Sequence, residues 1–182
     1  MQPGINRAEI LRYKPVLEDV DLQVIQEEYV RCLNKYKCKG ICVFISHKSE
    51  DKKVAKIIGD GLNRLGLDVY LDMFDDGLQQ ATQNNDCGEI VQHIQKAISV
   101  STHVLVLISG VTQLSWWVPY EIGYAQKSGR DIASFLISNN AQRPDYLQIL
   151  ETLDSKDDFK DYADRLAKQN IKFRAQTQVF LD

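Results

Sequence analysis

No stretch of this chain is apolar for long enough to cross a membrane. Its longest apolar runs, at 41–45 and 104–108, stop at five residues, against the roughly 20 that a membrane-spanning helix needs. The first residues, Met1-Gln2-Pro3-Gly4, lack the apolar core of a secretory signal, so the expected location is cytoplasmic. Basic blocks are missing too. The 22 Lys and Arg are interspersed among 25 Asp and Glu for a net charge of −3, which excludes a general nucleic-acid binder, because that function needs a basic face. Cysteine is sparse, at 32, 38, 42 and 87, and the three histidines are scattered. Cys38 and Cys42 stand close together without a second ligand pair, so no zinc site is expected and Cys42 reads as a small core residue. Nothing points to a disulfide framework in a chain of 182 residues without a secretion signal.

What is present is ordinary in bulk: 44% hydrophobic and 26% charged residues, enough for one domain with a real core. The informative stretch is 104–125, V-L-V-L-I-S-G-V-T-Q-L-S-W-W-V-P-Y-E-I-G-Y-A. Its opening run of branched residues has the pattern of a strand buried on both faces of a parallel sheet. A helix then begins, with Ser115 as a plausible N-cap and Pro119 near the first turn, where a missing backbone N–H matters least. Trp117 and Glu121 are four residues apart and share a face, while the same spacing pairs Trp116 with Tyr120. A helix that follows such a strand starts at the carboxyl edge of the sheet, where open α/β folds bind ligands. An indole beside a carboxylate there suits a flat base attached to a sugar. Read by residue type alone, both tryptophans serve equally well as core and Glu121 as a solvated helix residue.

The chain around it is organised as alternating strands and helices. Residues 1–39 form an N-terminal helical extension, with Leu22, Ile25, Tyr29, Leu33 and Tyr36 at helical spacing, covering either the main domain or a second copy. The main domain, 40–182, opens on a strand at 41–45. A helix follows with Val54, Ile57, Ile58, Leu62 and Leu65 on one face, stopping at Gly66, and then a second strand at 67–71. From 73 to 88 the chain is polar, M-F-D-D-G-L-Q-Q-A-T-Q-N-N-D-C-G, with no helical or strand period. So long a connection is read as a lid, a binding loop or a tolerated insertion. A helix at 89–99 leads into the strand at 104–108. A fourth strand is expected at 131–137, a short edge strand or turn at 146–153, and a helix at 155–168 capped by Ser155 with Phe159, Tyr162, Ala163 and Leu166 inward. The tail at 171–182 alternates too weakly to assign.

The usual fingerprints of doubly wound sheets do not occur: no G-x-G-x-x-G, no G-x-x-x-x-G-K-[ST], no G-x-S-x-G. The first and third strands end in Ser46 and Ser109 rather than in acids, which excludes a phospho-acceptor site. Four segments do form a recognisable set: V-F-I-S-H-K-S-E-D at 43–51, G-L-D-V-Y-L-D at 66–72, V-L-V-L-I-S at 104–109 and S-W-W-V-P-Y-E at 115–121. Over roughly 41–168 the chain resembles the TIR (Toll/interleukin-1 receptor) domain family. The resemblance implies a flavodoxin-like parallel sheet of four to five strands with helices on both faces, and puts 73–88 in the place of the family's BB loop.

In the NAD-cleaving bacterial branch of that family, a W-x-x-x-E pattern carries the catalytic glutamate, and Trp117 to Glu121 fits it. The implied activity is NAD glycohydrolase or cyclase chemistry, with NAD as substrate and no cofactor. Trp117 is then a stacking residue. Ser46 and His47 sit at the mouth of the cleft, His47 as a phosphate or ribose contact or as a solvated loop residue. Asp72 and Phe74 line the cleft or simply end a strand. Ser109 and Ser115 are hydrogen-bond donors, with Ser115 sufficiently explained as a cap. His93 and His103 read as ordinary surface or packed residues. A stand-alone TIR protein also resembles the TIR component of Thoeris-type antiphage defence. That implies self-association through TIR–TIR contacts and a diffusible nucleotide signal to a separate effector, with neither nucleic acid nor membrane as partner. Two rivals remain. One is a non-catalytic TIR adaptor or virulence protein acting through the 73–88 loop. The other is a nucleoside deoxyribosyltransferase-like enzyme, which also uses a cleft glutamate.

Overall fold

The computed structural model describes residues 40–71 and 76–179. The expected N-terminal helix, Asp72 and Phe74 lie outside the described residues. Five strands, β1 (Cys42–Ser46), β2 (Asp68–Tyr70), β3 (His103–Ile108), β4 (Asp131–Leu136) and β5 (Glu151–Leu153), form one sheet in the order β2-β1-β3-β4-β5. Every pairing is parallel. The connecting helices are α1 (Lys52–Arg64), α2 (Asp76–Gln83), α3 (Cys87–Val100), α4 (Trp117–Lys127), α5 (Asp145–Gln148) and α6 (Lys156–Val179). Among the described residues no helix is long and apolar enough to cross a membrane.

Strand alternation sorts the core into two layers. Val43, Ile45, Leu105, Leu107, Ala133, Phe135 and Leu153 face α1 and α6, meeting Ala55, Ile58, Leu62, Tyr162, Ala163 and Leu166. The intervening residues Phe44, Val104, Val106, Ile108 and Ile132 face the other way, onto side chains of α2, α3, α4 and α5. Because both faces are covered, β1 and β3 read as unbroken apolar runs in the sequence. Each fully buried aliphatic side chain contributes about 1.5–3 kcal/mol, and Val104, Leu105, Val106 and Leu107 are all 0% exposed. Helices α1 and α4 end alike. Gly66 and Gly129 take left-handed φ of 78° and 65°. Their N–H groups bond back to Asn63 and Gln126, and the next residues, Leu67 and Arg130, to Leu62 and Ala125. That pairing satisfies the last carbonyls of each helix at a left-handed φ that glycine adopts without strain. Ser155 caps α6 as expected: its hydroxyl accepts the Asp158 N–H at 3.1 Å, and Asp158 Oδ2 accepts the Ser155 N–H at 2.9 Å.

Three expectations are corrected. The described part of the 73–88 segment, 76–88, is largely helical rather than aperiodic. Asp76–Gln83 forms α2, held by the burial of Leu78 and Ala81, and Asp86 caps α3 by accepting the Glu89 N–H at 3.0 Å. Two apolar side chains on a single turn are too few to make a visible period, yet burying them on α3 is enough to fix the turn. Leu65 is 42% exposed rather than inward, because α1 has already ended at Arg64. Helix α6 does not stop at 168 but runs on to Val179. Asn170, 3% exposed, holds it there by accepting the Ile41 N–H at 2.7 Å and donating to the Gly66 carbonyl at 2.7 Å. A polar anchor of this kind leaves no mark on a hydrophobic pattern.

Candidate active site

The sheet reverses its strand order at β1: the chain goes from β1 outward to β2 on one side and, later, to β3 on the other. Loops leaving β1 and β3 therefore part in opposite directions and open a crevice at their carboxyl ends. Ser46 closes β1 in register with Val106 of β3, and Ser109 stands just beyond the end of β3.

Helix α4 brings the carboxylate to this edge. The Ser115 hydroxyl accepts the Val118 N–H at 3.2 Å, an N-terminal cap. Pro119 falls among the first four residues of the helix, whose N–H groups have no intrahelical partner anyway. Val118, Ile122 and Ala125 are buried on the sheet, which fixes the helix in rotation. Glu121, one turn after Trp117, is thereby turned inward and is only 8% exposed. It meets a partner from the neighbouring strand: Ser46 Oγ donates to Glu121 Oε2 at 2.5 Å. A buried carboxylate requires such donors to remain charged.

Beside this pair lies a second polar group. His47, 9% exposed, has Nδ1 at 3.1 Å from the Ile45 carbonyl. Since a carbonyl only accepts, Nδ1 carries the proton. Asp51, 8% exposed, accepts the Ser109 hydroxyl at 2.6 Å, and Ser109 N–H donates to Thr112 Oγ1 at 2.8 Å. Desolvation on burial raises the Asp51 pKa, opposed by the Ser109 bond and by attraction to His47. Neither Asp51 nor Thr112 was singled out by residue type. Asp51 lies inside the V-F-I-S-H-K-S-E-D segment, where an acid just before a helix reads as a routine cap.

The aromatic expectations divide. Trp117 is 37% exposed and packs edge-on against Tyr120, with ring centroids 6.1 Å apart. Trp116 does not pair with Tyr120; it is 92% exposed. Its backbone is already helical, but Tyr120 is turned to α3, where it accepts a bond from Gln95 Nε2 at 2.8 Å. Ser46 and Glu121 are thus brought together directly, Ser109 and His47 line the adjacent loops, Ser115 serves as a cap, and Trp117 borders Tyr120. Among the described residues no group of three or more His, Cys, Asp or Glu side chains could hold a metal ion.

Comparison with known proteins gives the following. The sequence profile of the TIR domain matches residues 43–169. Among solved structures, the fold is similar to the TIR domain of the Toll-related receptor TRR-2 from Hydra magnipapillata. The TM-score is 0.55 at 19% identity, over 71% of this chain and 97% of that one. A flavodoxin-like domain from Synechococcus aligns at a TM-score of 0.40 and 13% identity, over 75% of this chain and 98% of that one. No curated protein matches the sequence.

Proposed function

This chain belongs to the TIR domain family, and from that premise we propose that it cleaves the nicotinamide–ribose bond of NAD, as a glycohydrolase or cyclase, with Glu121 as its catalytic carboxylate. The observation that carries this reading is the Ser46–Glu121 pair. A glutamate one turn after Trp117 is 8% exposed at the carboxyl edge of the sheet and is held by a hydroxyl from a different element. A structural glutamate on a helix surface would point to water.

The chemistry asks little of acid–base groups. Nicotinamide is bonded to the ribose through a cationic ring nitrogen and leaves as a neutral base, taking the bonding electron pair with it. What remains is an oxocarbenium-like ribosyl centre whose positive charge must be stabilised. Glu121 supplies a fixed negative charge and an acceptor for ribose hydroxyls in a desolvated crevice, where such interactions strengthen. Trp117 offers its exposed face for stacking on the nicotinamide side. Water attacking the cation and losing a proton gives ADP-ribose; a nucleophile within the same molecule gives a cyclic isomer. NAD is the substrate, and the proposal includes no separate cofactor.

The test is nicotinamide release by purified wild type beside Glu121→Gln, at high protein concentration, with products resolved by mass. Loss of the negative charge is expected to cut turnover by roughly 100-fold or more, with thermal stability retained. Equal release by both proteins would remove Glu121 from the mechanism. A second reading, docking to other TIR domains without turnover, draws support from Leu114 and Trp116, which are 65% and 92% exposed beside the crevice as apolar surface available to a partner. No nicotinamide release by the wild type, even in concentrated assemblies, would favour it. In the fuller proposal, self-association accompanies catalysis and the nucleotide product serves as a diffusible signal to a separate antiphage effector.

A further inference from the structure

Asp51 ends a 3-10 turn, Ser49–Asp51, that runs directly into α1, and its side chain makes no bond to that helix. Its carboxylate is spent elsewhere. Oδ2 takes the Ser109 hydroxyl, 58 residues away in sequence, at 2.6 Å, and Ser109 Oγ in turn accepts the Val111 N–H at 3.3 Å. One buried carboxylate therefore ties the loop after β1 to the turn that leads from β3 into α4. His47, whose ring is fixed by its bond to the Ile45 carbonyl, attracts the same carboxylate.

This arrangement works against stability. Burial raises the folded-state pKa of Asp51 above its ordinary value, so above that range the ionised carboxylate is better accommodated in the unfolded chain and weakens the fold. A residue buried as an acid at the ligand-binding edge has the profile of a site residue, where stability is traded for function.

We propose that Asp51 is a positioning residue for the dinucleotide: through Ser109 it fixes the polar groups at the carboxyl end of β3 against which NAD rests, an inference that rests on the NAD reading above. Asp51 does not itself touch the reacting atoms. Its loss therefore weakens ground-state and transition-state binding alike, which appears in KM rather than in kcat.

The experiment compares full-length wild type, Asp51→Asn, Ser109→Ala and the double variant. Nicotinamide release is measured against NAD concentration, and NAD affinity by calorimetry with each change placed in the Glu121→Gln background. Asp51→Asn is expected to raise KM and Kd about tenfold, leave kcat within about twofold and leave the thermal midpoint unchanged or higher. Ser109→Ala should act similarly, and the double variant should be no worse than either single, as for two members of one contact. A purely structural role would shrink the folded fraction, lowering apparent kcat with KM unchanged; that result, or wild-type KM in Asp51→Asn, overturns the proposal. A wild type that binds NAD without releasing nicotinamide refutes the catalytic reading alone, and the Kd comparison then decides the role of Asp51. A wild type that neither binds nor cleaves NAD overturns both.

Discussion

Replacing Asn170 by alanine should unfold this protein earlier by several degrees, although the residue lies far from the crevice. Its amide is 3% exposed and joins three separate segments: it accepts the Ile41 N–H, donates to the Gly66 carbonyl, and is carried on α6. Alanine removes both bonds and leaves a buried donor and acceptor unpaired, at roughly 1–3 kcal/mol each where water cannot reach them. The better helix propensity of alanine returns up to about 0.7 kcal/mol. Partial rehydration of the Gly66 carbonyl offsets more, since the turn is near the surface, so the net loss is about 3 kcal/mol. For a domain of this size each kcal/mol moves the midpoint by about 2–4 °C, which places the expected fall at about 6–12 °C. Circular dichroism melts, checked for reversibility and for agreement with tryptophan fluorescence, measure it. Gln169→Ala, one residue away and exposed, is the control and should change stability by less than about 0.5 kcal/mol. A fall of under 2 °C (~) for Asn170→Ala would refute the reasoning that the amide clamps α6 to the start of β1.

Arg143 should behave in a related way at the other end of the sheet. Its guanidinium donates to Ser134 Oγ at 2.7 Å, to the carbonyls of Ser134 and Leu153 at 3.1 and 3.2 Å, and to Asp154 at 2.7 Å. Arg143→Met is expected to lower the urea midpoint by the equivalent of about 2–3 kcal/mol. Arg143→Lys should recover little, because an ammonium cannot match the planar fork; full rescue by lysine would show that charge alone matters. His103 provides the pH test. Burial, ahead of the opposing pull of Asp131, lowers its pKa. The unfolded chain therefore takes up the proton first. The stability it contributes is complete above its ordinary midpoint of about 6.5 and is lost as pH falls from there through the folded value. Thermal midpoints of wild type and His103→Gln between about pH 5 and 7.5 should diverge on the acid side, with the wild type falling more steeply. Parallel curves would sink this account.

How far the residues alone disclosed the fold depended on whether the responsible force was local. The runs at 41–45 and 104–108 read as buried parallel strands because both faces of β1 and β3 are covered. The Gly66 stop, the Ser155 and Ser115 caps and the one-turn spacing of Trp117 and Glu121 are all set within a few residues of chain. Helix α2 was invisible because two buried residues, Leu78 and Ala81, decide it, and they do so by packing on another helix. Trp116 misled because its expected partner Tyr120 is engaged by Gln95 of α3 and by the rings of Trp117 and Tyr124, contacts that spacing along one helix does not settle.

The sequence by itself determined the strands at β1 to β4, the stop of α1 and the caps of α4 and α6, and that an indole and a carboxylate share one turn of α4, since propensity, capping and apolar spacing act over a few residues. Only the tertiary structure decided which groups complete the crevice. The Ser46–Glu121 bond spans 75 residues, Asp51–Ser109 spans 58, and Asn170 reaches 129 residues back to Ile41. Such contacts depend on which strand ends the sheet order brings side by side, and a polar side chain carries no periodic signal of the partner it will meet.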